Sequence, residues 1–426
     1  MLFPSAPFGA AQLPTAVGPT LPPDLSRGIK RTGRRPGEGS EGRVRRWQFE
    51  GLSRDWVLIL VGIFMMNAGW ATYSAIYTNF VSNDLHIRAG NLGLVESLRE
   101  VPGFLTVVLA AMTVSMRESR VTSLALLVLG IGLMGYAGVN SLGMLIAVTM
   151  FGSVGFHLFM PLSSGLVLGQ ARDNNQGRRM GEMNTVGAIG TLLGTAAVLI
   201  LVIPLGLRGS FVPAGAIVVV GAVCLLLIRD KDAAPRVRIS FRRRYLTYYL
   251  LAMLDGSRRQ IFGTFAVFLL VRNYHVDVRT VTILLLANTA VTLISSLPVG
   301  WLIDHFGERR VLVINYIILV FLFSCYALVH TVLLLGVIYC IDNALFGCST
   351  AITTYLGKIV PRQEMTPTLA MGSTANHVAA VSVPVLGGII WDKLGYQVTF
   401  FAGAATCVIS VLVALSIHLP ARRAEE

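Results

Sequence analysis

The chain has 426 residues, 54% of them hydrophobic and only 13% charged. A soluble domain carries about 25% charged residues, so this composition excludes an ordinary soluble protein and argues for a membrane one. The net charge of +13 does not point to nucleic acid, because the Lys and Arg fall in short gaps between apolar runs and not on one basic face with polar and aromatic neighbours. The five cysteines (Cys224, Cys325, Cys340, Cys348 and Cys407) lie within or beside apolar runs and lack CxxC spacing, which argues against a disulfide framework or a zinc site. No metal and no cofactor are expected.

Residues 1–50 are rich in Pro, Gly, Ser and Arg and have no periodic apolar pattern; they are expected to form a disordered cytoplasmic tail. A span needs about 20 mostly apolar residues. The first six are predicted near 55–80, 91–113, 120–139, 142–168, 180–204 and 209–228, within a bundle at 51–228. A basic linker follows at 229–244. Six more spans, near 246–271, 279–302, 310–330, 332–357, 370–391 and 397–418, make a second bundle at 245–418, and 419–426 is a short tail. The expected fold is therefore all-α, a polytopic membrane protein of twelve transmembrane helices in two six-helix bundles. With both termini cytoplasmic, the inside segments hold 27 of the 35 Lys and Arg, the asymmetry expected of cytoplasmic loops. The absence of any N-x-[ST] acceptor favours a bacterial plasma (inner) membrane.

Several spans carry polar residues where hydrocarbon is expected. The first holds Asn67, Tyr73 and Tyr77. The second holds Glu96, Arg99 and Glu100, which share a face by i,i+3 and i,i+4 spacing; two acids with one base suit either a proton carrier or an ion-paired gate. His157 in the fourth is either a packing histidine or a group titrating near neutral pH. The seventh begins "LAMLDGSRRQIF", placing Asp255, Arg258 and Arg259 on one flank, roughly 14–20 Å into the helix at 1.5 Å per residue. A single such charge at the bilayer centre costs about 2.5–3.5 kcal/mol on insertion scales. Asp255 balances one arginine, so the other is expected to meet a distant acid or an anionic ligand, for which the planar Arg fork is suited. Asp342 and Asn343 lie in the tenth span, and a lone buried carboxylate is costly. Asn376 and His377 in the eleventh read as helix-contact residues.

The chain also repeats itself weakly at an offset of about 190: Phe156 falls on Phe346, and Met116–Val121 on Phe306–Val311. Two parallel halves of six spans are a known transporter design. The stretch "GWLIDHFGERRVLV" (Gly300 to Val313) carries the resemblance that names it: Gly300, Leu302, Asp304, Gly307, Arg309 and Arg310 fit the cytoplasmic loop motif G-x-L-x-D-x-x-G-x-R-R of the major facilitator superfamily. "PVLGGIIWDKLGY" (Pro384 to Tyr396) is similar to that family's span eleven. The corresponding first-half loop departs from the motif, with Val114 at the aspartate position and Arg117 at the second glycine.

The resemblance implies a central cavity lined by spans one, four, seven and ten. It places Asp255, Arg258, Arg259, Asn67, Tyr73, His157, Asp342 and Asn343 as substrate-binding candidates. Glu96, Arg99 and Glu100 become coupling or gate residues, and Asp304 a latch that pairs with Arg309, Arg310 or a helix N-terminus. The expected function is secondary transport, proton-coupled, of a small organic anion or polar metabolite, by a monomer embedded in the lipid bilayer with no nucleic-acid partner. The alternative is a drug/proton antiporter. No G-x-S-x-G, HExxH or GxxxxGK[ST] occurs, so an enzyme or an ATP-driven pump is not expected.

Overall fold

The structure, a computed structural model, describes residues 53–112, 116–170, 176–228, 241–296 and 298–417. The tails expected at 1–50 and 419–426, and most of the linker at 229–244, lie outside the described residues. Every regular element among the described residues is helical. In chain order these are α1 (Arg54–Asn79), α2 (Ala89–Met112), α3 (Glu118–Gly135), α4 (Leu142–Gly169) and α5 (Gln176–Leu226), then α6 (Leu246–Tyr274), α7 (Val278–Ser296), α8 (Val299–Phe306) and α9 (Glu308–Leu328). The chain closes with α10 (Val332–Ala344), α11 (Thr350–Ile359), α12 (Arg362–Leu394) and α13 (Tyr396–Leu415).

Nine stretches among the described residues are long and apolar enough to cross a membrane. α5 is one of them and passes twice, because Gly206 turns its 51 residues at φ 64° and ψ −175°, a conformation that only glycine adopts readily. α2 and α6 have sufficient length, but the first carries Glu96, Arg99 and Glu100 and the second Asp255, Arg258 and Arg259. Counting both is consistent with the twelve passes expected. The eighth pass is broken into α7 and α8. The tenth is broken into α10 and α11 by a tight 3₁₀ turn at Leu345–Ser349, which the continuous apolar run did not foretell.

Large apolar side chains face outward, among them Ile203 at 81% and Leu333 at 79% exposure, as lipid-facing residues do. Helices in lipid gain no hydrophobic drive by meeting, so small residues must let their backbones approach. A Cβ on Gly194 of α5 would stand 2.1 Å from the Ala68 carbonyl oxygen of α1. The same approach joins the two halves, where a Cβ on Gly93 of α2 would stand 2.1 Å from the Pro384 carbonyl oxygen of α12.

The halves repeat in backbone as well as in sequence. His86 and His275 are the described non-glycine residues with positive φ, at 51° and 54°. Each follows the first span of its half, and each closes the same cap: Ile87 N–H bonds Val81 O, and Val276 N–H bonds Leu270 O.

The turns gather by face. Arg208, at the bend of α5, pairs with Asp84 beyond α1 at 3.3 Å and donates to Val139 O beyond α3. Tyr274 at the end of α6 donates to Val329 O beyond α9. This is the far face; the face where α1, α5 and α6 begin is the terminal face. Polar links between halves cluster toward the far face: Asn79 donates to Val276 O, the Gly90 amide to Asp392, and the Val385 amide to Ser97.

Candidate functional site

The charged side chains form two buried clusters, one in each half. In the first, one turn of α2 brings Glu96, Arg99 and Glu100 together. Arg99 Nη2 lies 2.9 Å from Glu96 Oε2 and 3.1 Å from Glu100 Oε1. Glu96 is wholly buried, Glu100 and Arg99 nearly so. α4 packs alongside, and the Ser153 hydroxyl donates to the Arg99 carbonyl. His157, one turn further on, places Nε2 3.5 Å from Glu100 Oε2. His377 of α12 comes from the other half and sets Nδ1 3.5 Å from the same oxygen.

Tyr73 lines the same small cavity as Arg99 and Glu100, and its hydroxyl heads a separate chain, with Tyr73 OH 3.2 Å from Tyr136 OH and Tyr136 OH 2.8 Å from Thr149 Oγ1. Trp70 stacks on Phe156 at 4.5 Å. Between these rings and Arg99 the walls leave about 10 Å³ of free volume, roughly the room of one water.

The second cluster centres on α6. Arg258 is fully buried, with Nη2 3.2 Å from Asp255 Oδ1 and Nη1 3.2 Å from Asp342 Oδ1 of α10. Its guanidinium also lies over the Phe346 ring at 4.5 Å. Arg259 approaches Asp255 Oδ2 through Nε at 2.7 Å and keeps 28% of its side chain exposed. The Ser349 hydroxyl donates to Asp255 at 3.0 Å. The 3₁₀ turn in the tenth pass thus has a local purpose, because it presents Phe346 and Ser349 to this cluster. Irregular backbone at membrane depth is tolerated where it is buried in protein or lines a cavity.

Of the two partners expected for the second arginine, a distant acid or an anionic ligand, the structure shows a distant acid. Asp342 supplies the second carboxylate, so two acids face two bases. Arg258 and Asp342 lie 84 positions apart, and nothing in the local pattern pairs them.

Other candidates stand apart from both clusters. Asn67 donates to Ile63 O and packs against Gly187 and Gly190 of α5. Asn343 donates to Tyr339 O. In the loop motif, Gly307 takes φ 78° and ψ 155°, a region essentially reserved for glycine, whereas a Cβ on Gly300 would meet nothing within 4 Å. Asp304, Arg309 and Arg310 are exposed, and no ion pair joins Asp304 to either arginine among the described residues. The buried acid of this loop is Glu308 at the first turn of α9, held by Lys358 at 2.5 Å.

The residue that sequence reasoning undervalued is His377. It is adjacent to Asn376, whose side chain packs on Gly256 of α6, where a Cβ would stand 2.9 Å from its Cγ. Consecutive residues of α12 therefore touch the first cluster and the helix that carries the second. A polar pair in the middle of an apolar span was the available signal.

The family model of the Major Facilitator Superfamily matches residues 59–247 and again 248–426. Solved structures of similar fold include a mutant of the nucleoside transporter NupG, with 13% identity, 85% of this chain and 99% of that chain covered, and a TM-score of 0.73. Another is a bacterial homolog to the human lysosomal transporter Spinster in an inward-facing and occupied conformation, with 15% identity, 86% and 97% covered, and a TM-score of 0.69. At such identities the likeness concerns the fold alone. No curated protein matches the chain.

Proposed function

Because the chain belongs to the major facilitator superfamily, we propose that it is a secondary active transporter working by alternating access and coupled to protons. Its substrate is a small organic anion or polar metabolite. The observation that carries this reading is the second cluster: Arg259 sits beside a fully buried, doubly paired Arg258, holds one carboxylate through Nε, and remains partly open. A planar fork so placed suits a carboxylate or phosphate.

Of the roles open to the α2 charges, coupling suits Glu96, which is wholly buried and, among the described residues, paired with Arg99 of its own half. Gating suits Glu100, which meets His377 across the halves. The protein acts as a monomer in the plasma membrane with its terminal face cytoplasmic, and the polar links gathered at the far face support a state closed to the outside. Membrane-impermeant labelling of Arg88→Cys and Arg272→Cys in intact cells tests the orientation, since both must react from outside; protection of both until the cells are opened would reverse it.

The drug/proton antiporter reading draws support from the aromatic wall of Trp70, Phe156 and Tyr73, although Arg259 disfavours cationic drugs. A thermal-shift panel of carboxylates, phosphorylated metabolites, nucleosides and drugs on the purified protein separates the two readings. With the stabilising compound in hand, Arg259→Lys keeps charge and loses the fork. It should weaken binding by about 1–3 kcal/mol, a factor of roughly 5–150. Parental affinity in that variant discards the anion site.

A further inference from the structure

Hydrogen-bond logic fixes the proton on His157. Its Nδ1 lies 3.0 Å from the Ser153 carbonyl oxygen and 3.0 Å from the Ser153 hydroxyl oxygen. The carbonyl can only accept, and the hydroxyl already gives its hydrogen to the Arg99 carbonyl. Nδ1 therefore carries the hydrogen, and Nε2 of the neutral ring presents a lone pair. That lone pair is 3.5 Å from Glu100 Oε2, which is itself an acceptor. His377 Nδ1 stands 3.5 Å from the same oxygen. Two facing acceptors, His157 Nε2 and Glu100 Oε2, call for a cation between them, either a proton or a metal ion, and His377 Nδ1 adds a third lone pair in the tautomer that carries its hydrogen on Nε2.

We propose that Glu100, His157 and His377 form a binding site for one divalent transition-metal ion of the zinc type, which staples the two halves together. The three ligand atoms all lie within 4.8 Å of one another. A tetrahedral ion with bonds of 2.0–2.1 Å spaces its ligands about 3.4 Å apart, close to the two 3.5 Å edges present. The His–His edge closes by a swing of the His377 ring, which is partly exposed. Two imidazole nitrogens and one carboxylate oxygen suit zinc, cobalt or nickel and not magnesium or calcium.

The surroundings support the site. Ser153 orients His157 from behind, as outer partners of metal-bound histidines do. Gly103 makes room for both rings, since a Cβ there would stand 2.6 Å from His377 Cε1 and 2.8 Å from His157 Cδ2. Arg99 is the opposing cation, 3.1 Å from Glu100, but Glu96 lies 2.9 Å from it, so the α2 charges carry a net negative charge toward the ion. The ligands lie 57 and 220 positions apart, and for that reason no sequence motif announces them.

The test uses tag-free, full-length protein in detergent, titrated with Zn²⁺ calorimetrically and with Co²⁺ by visible absorption. The expected result is one ion per chain, a tetrahedral Co²⁺ band, and at least tenfold weaker Zn²⁺ binding in each of His157→Gln and His377→Gln. Equal binding in the parent and both variants, or no ion bound by the parent at neutral pH, overturns the proposal and leaves a proton as the bridging cation. If one variant does not fold, Gly103→Leu, which fills the space of both rings, must abolish the Co²⁺ band; a retained band equally overturns it. Binding at this site does not rest on the transport reading. Zn²⁺ arrest of substrate exchange does, so a protein that shows the band and carries no substrate keeps the site and loses the transporter.

Discussion

Replacing Asp342 by Asn tests whether Arg258 is a structural or a ligand-binding cation. Arg258 and Asp342 are both at 0% side-chain exposure, and Asp255 is at 5%. Together with Arg259, which keeps 28% of its side chain exposed, they make two acids and two bases, and water is nearly excluded from the other three. Asp342→Asn keeps shape and one acceptor but removes a charge, leaving a net positive charge in the cluster. Breaking a buried pair by removing one partner costs about 3–5 kcal/mol. Asp255 still holds Arg258 at 3.2 Å, so the low end, about 3 kcal/mol, is expected. At 2–4 °C per kcal/mol for units the size of one half, thermal unfolding should fall by roughly 6–12 °C.

The assay is the fraction of monodisperse protein left after heating in detergent, followed by gel filtration. The paired variant Arg258→Met with Asp342→Leu removes both charges and leaves Asp255 with Arg259. It should recover most of the loss, a coupling of about 2–3 kcal/mol. A single Asp342→Asn variant melting within about 2 °C of the parent would refute the account, because Arg258 would then have found water or another acid.

Glu96→Gln should abolish uphill accumulation in proteoliposomes while sparing exchange of labelled for unlabelled substrate, and accumulation at parental levels would remove Glu96 from the coupling step. If Asp304, exposed in this structure, serves as the proposed latch in a second access state, Asp304→Asn should slow turnover and leave substrate affinity within a few-fold; full-rate transport by the variant discards the latch.

The spans were legible because apolar length is a property of contiguous residues. Predicted ends fall within about eight residues of the helices, and Gly206 divides α5 between the two spans expected there. The charged pairs within one helix were legible for the same reason: Glu96 with Arg99, and Asp255 with Arg258 and Arg259, follow from 3.6 residues per turn. Pairs between helices were not. The acid that completes Arg258, the histidine that meets Glu100 from α12, and the lysine that holds buried Glu308 each depend on the depth and rotation of a second helix. The half-repeat was more legible than offset 190 suggested. At 189, His86 falls on His275 and Ile87 on Val276, and these are the residues that close the repeated cap.

α12 is where the two clusters become one mechanical problem. Successive residues of a helix turn by about 100°, so Asn376 and His377 look to different neighbours. Asn376 packs on α6, which shares its half, while His377 meets Glu100 of α2, which does not. A rigid rocking of one half against the other keeps the first contact and must break the second. The glycine contacts of α2 with α12 lie on the far side of that pair, where a Cβ on Gly388 would stand 2.4 Å from the Ala89 carbonyl oxygen. Separation of the far face therefore strips His377 from Glu100 and leaves Glu100 with Arg99 and His157, whereas Asp255, Arg258 and Asp342 travel together on one half. The cluster that must change partners is the one built from α2 and histidine, and the cluster that stays whole is the one that carries the half-open arginine.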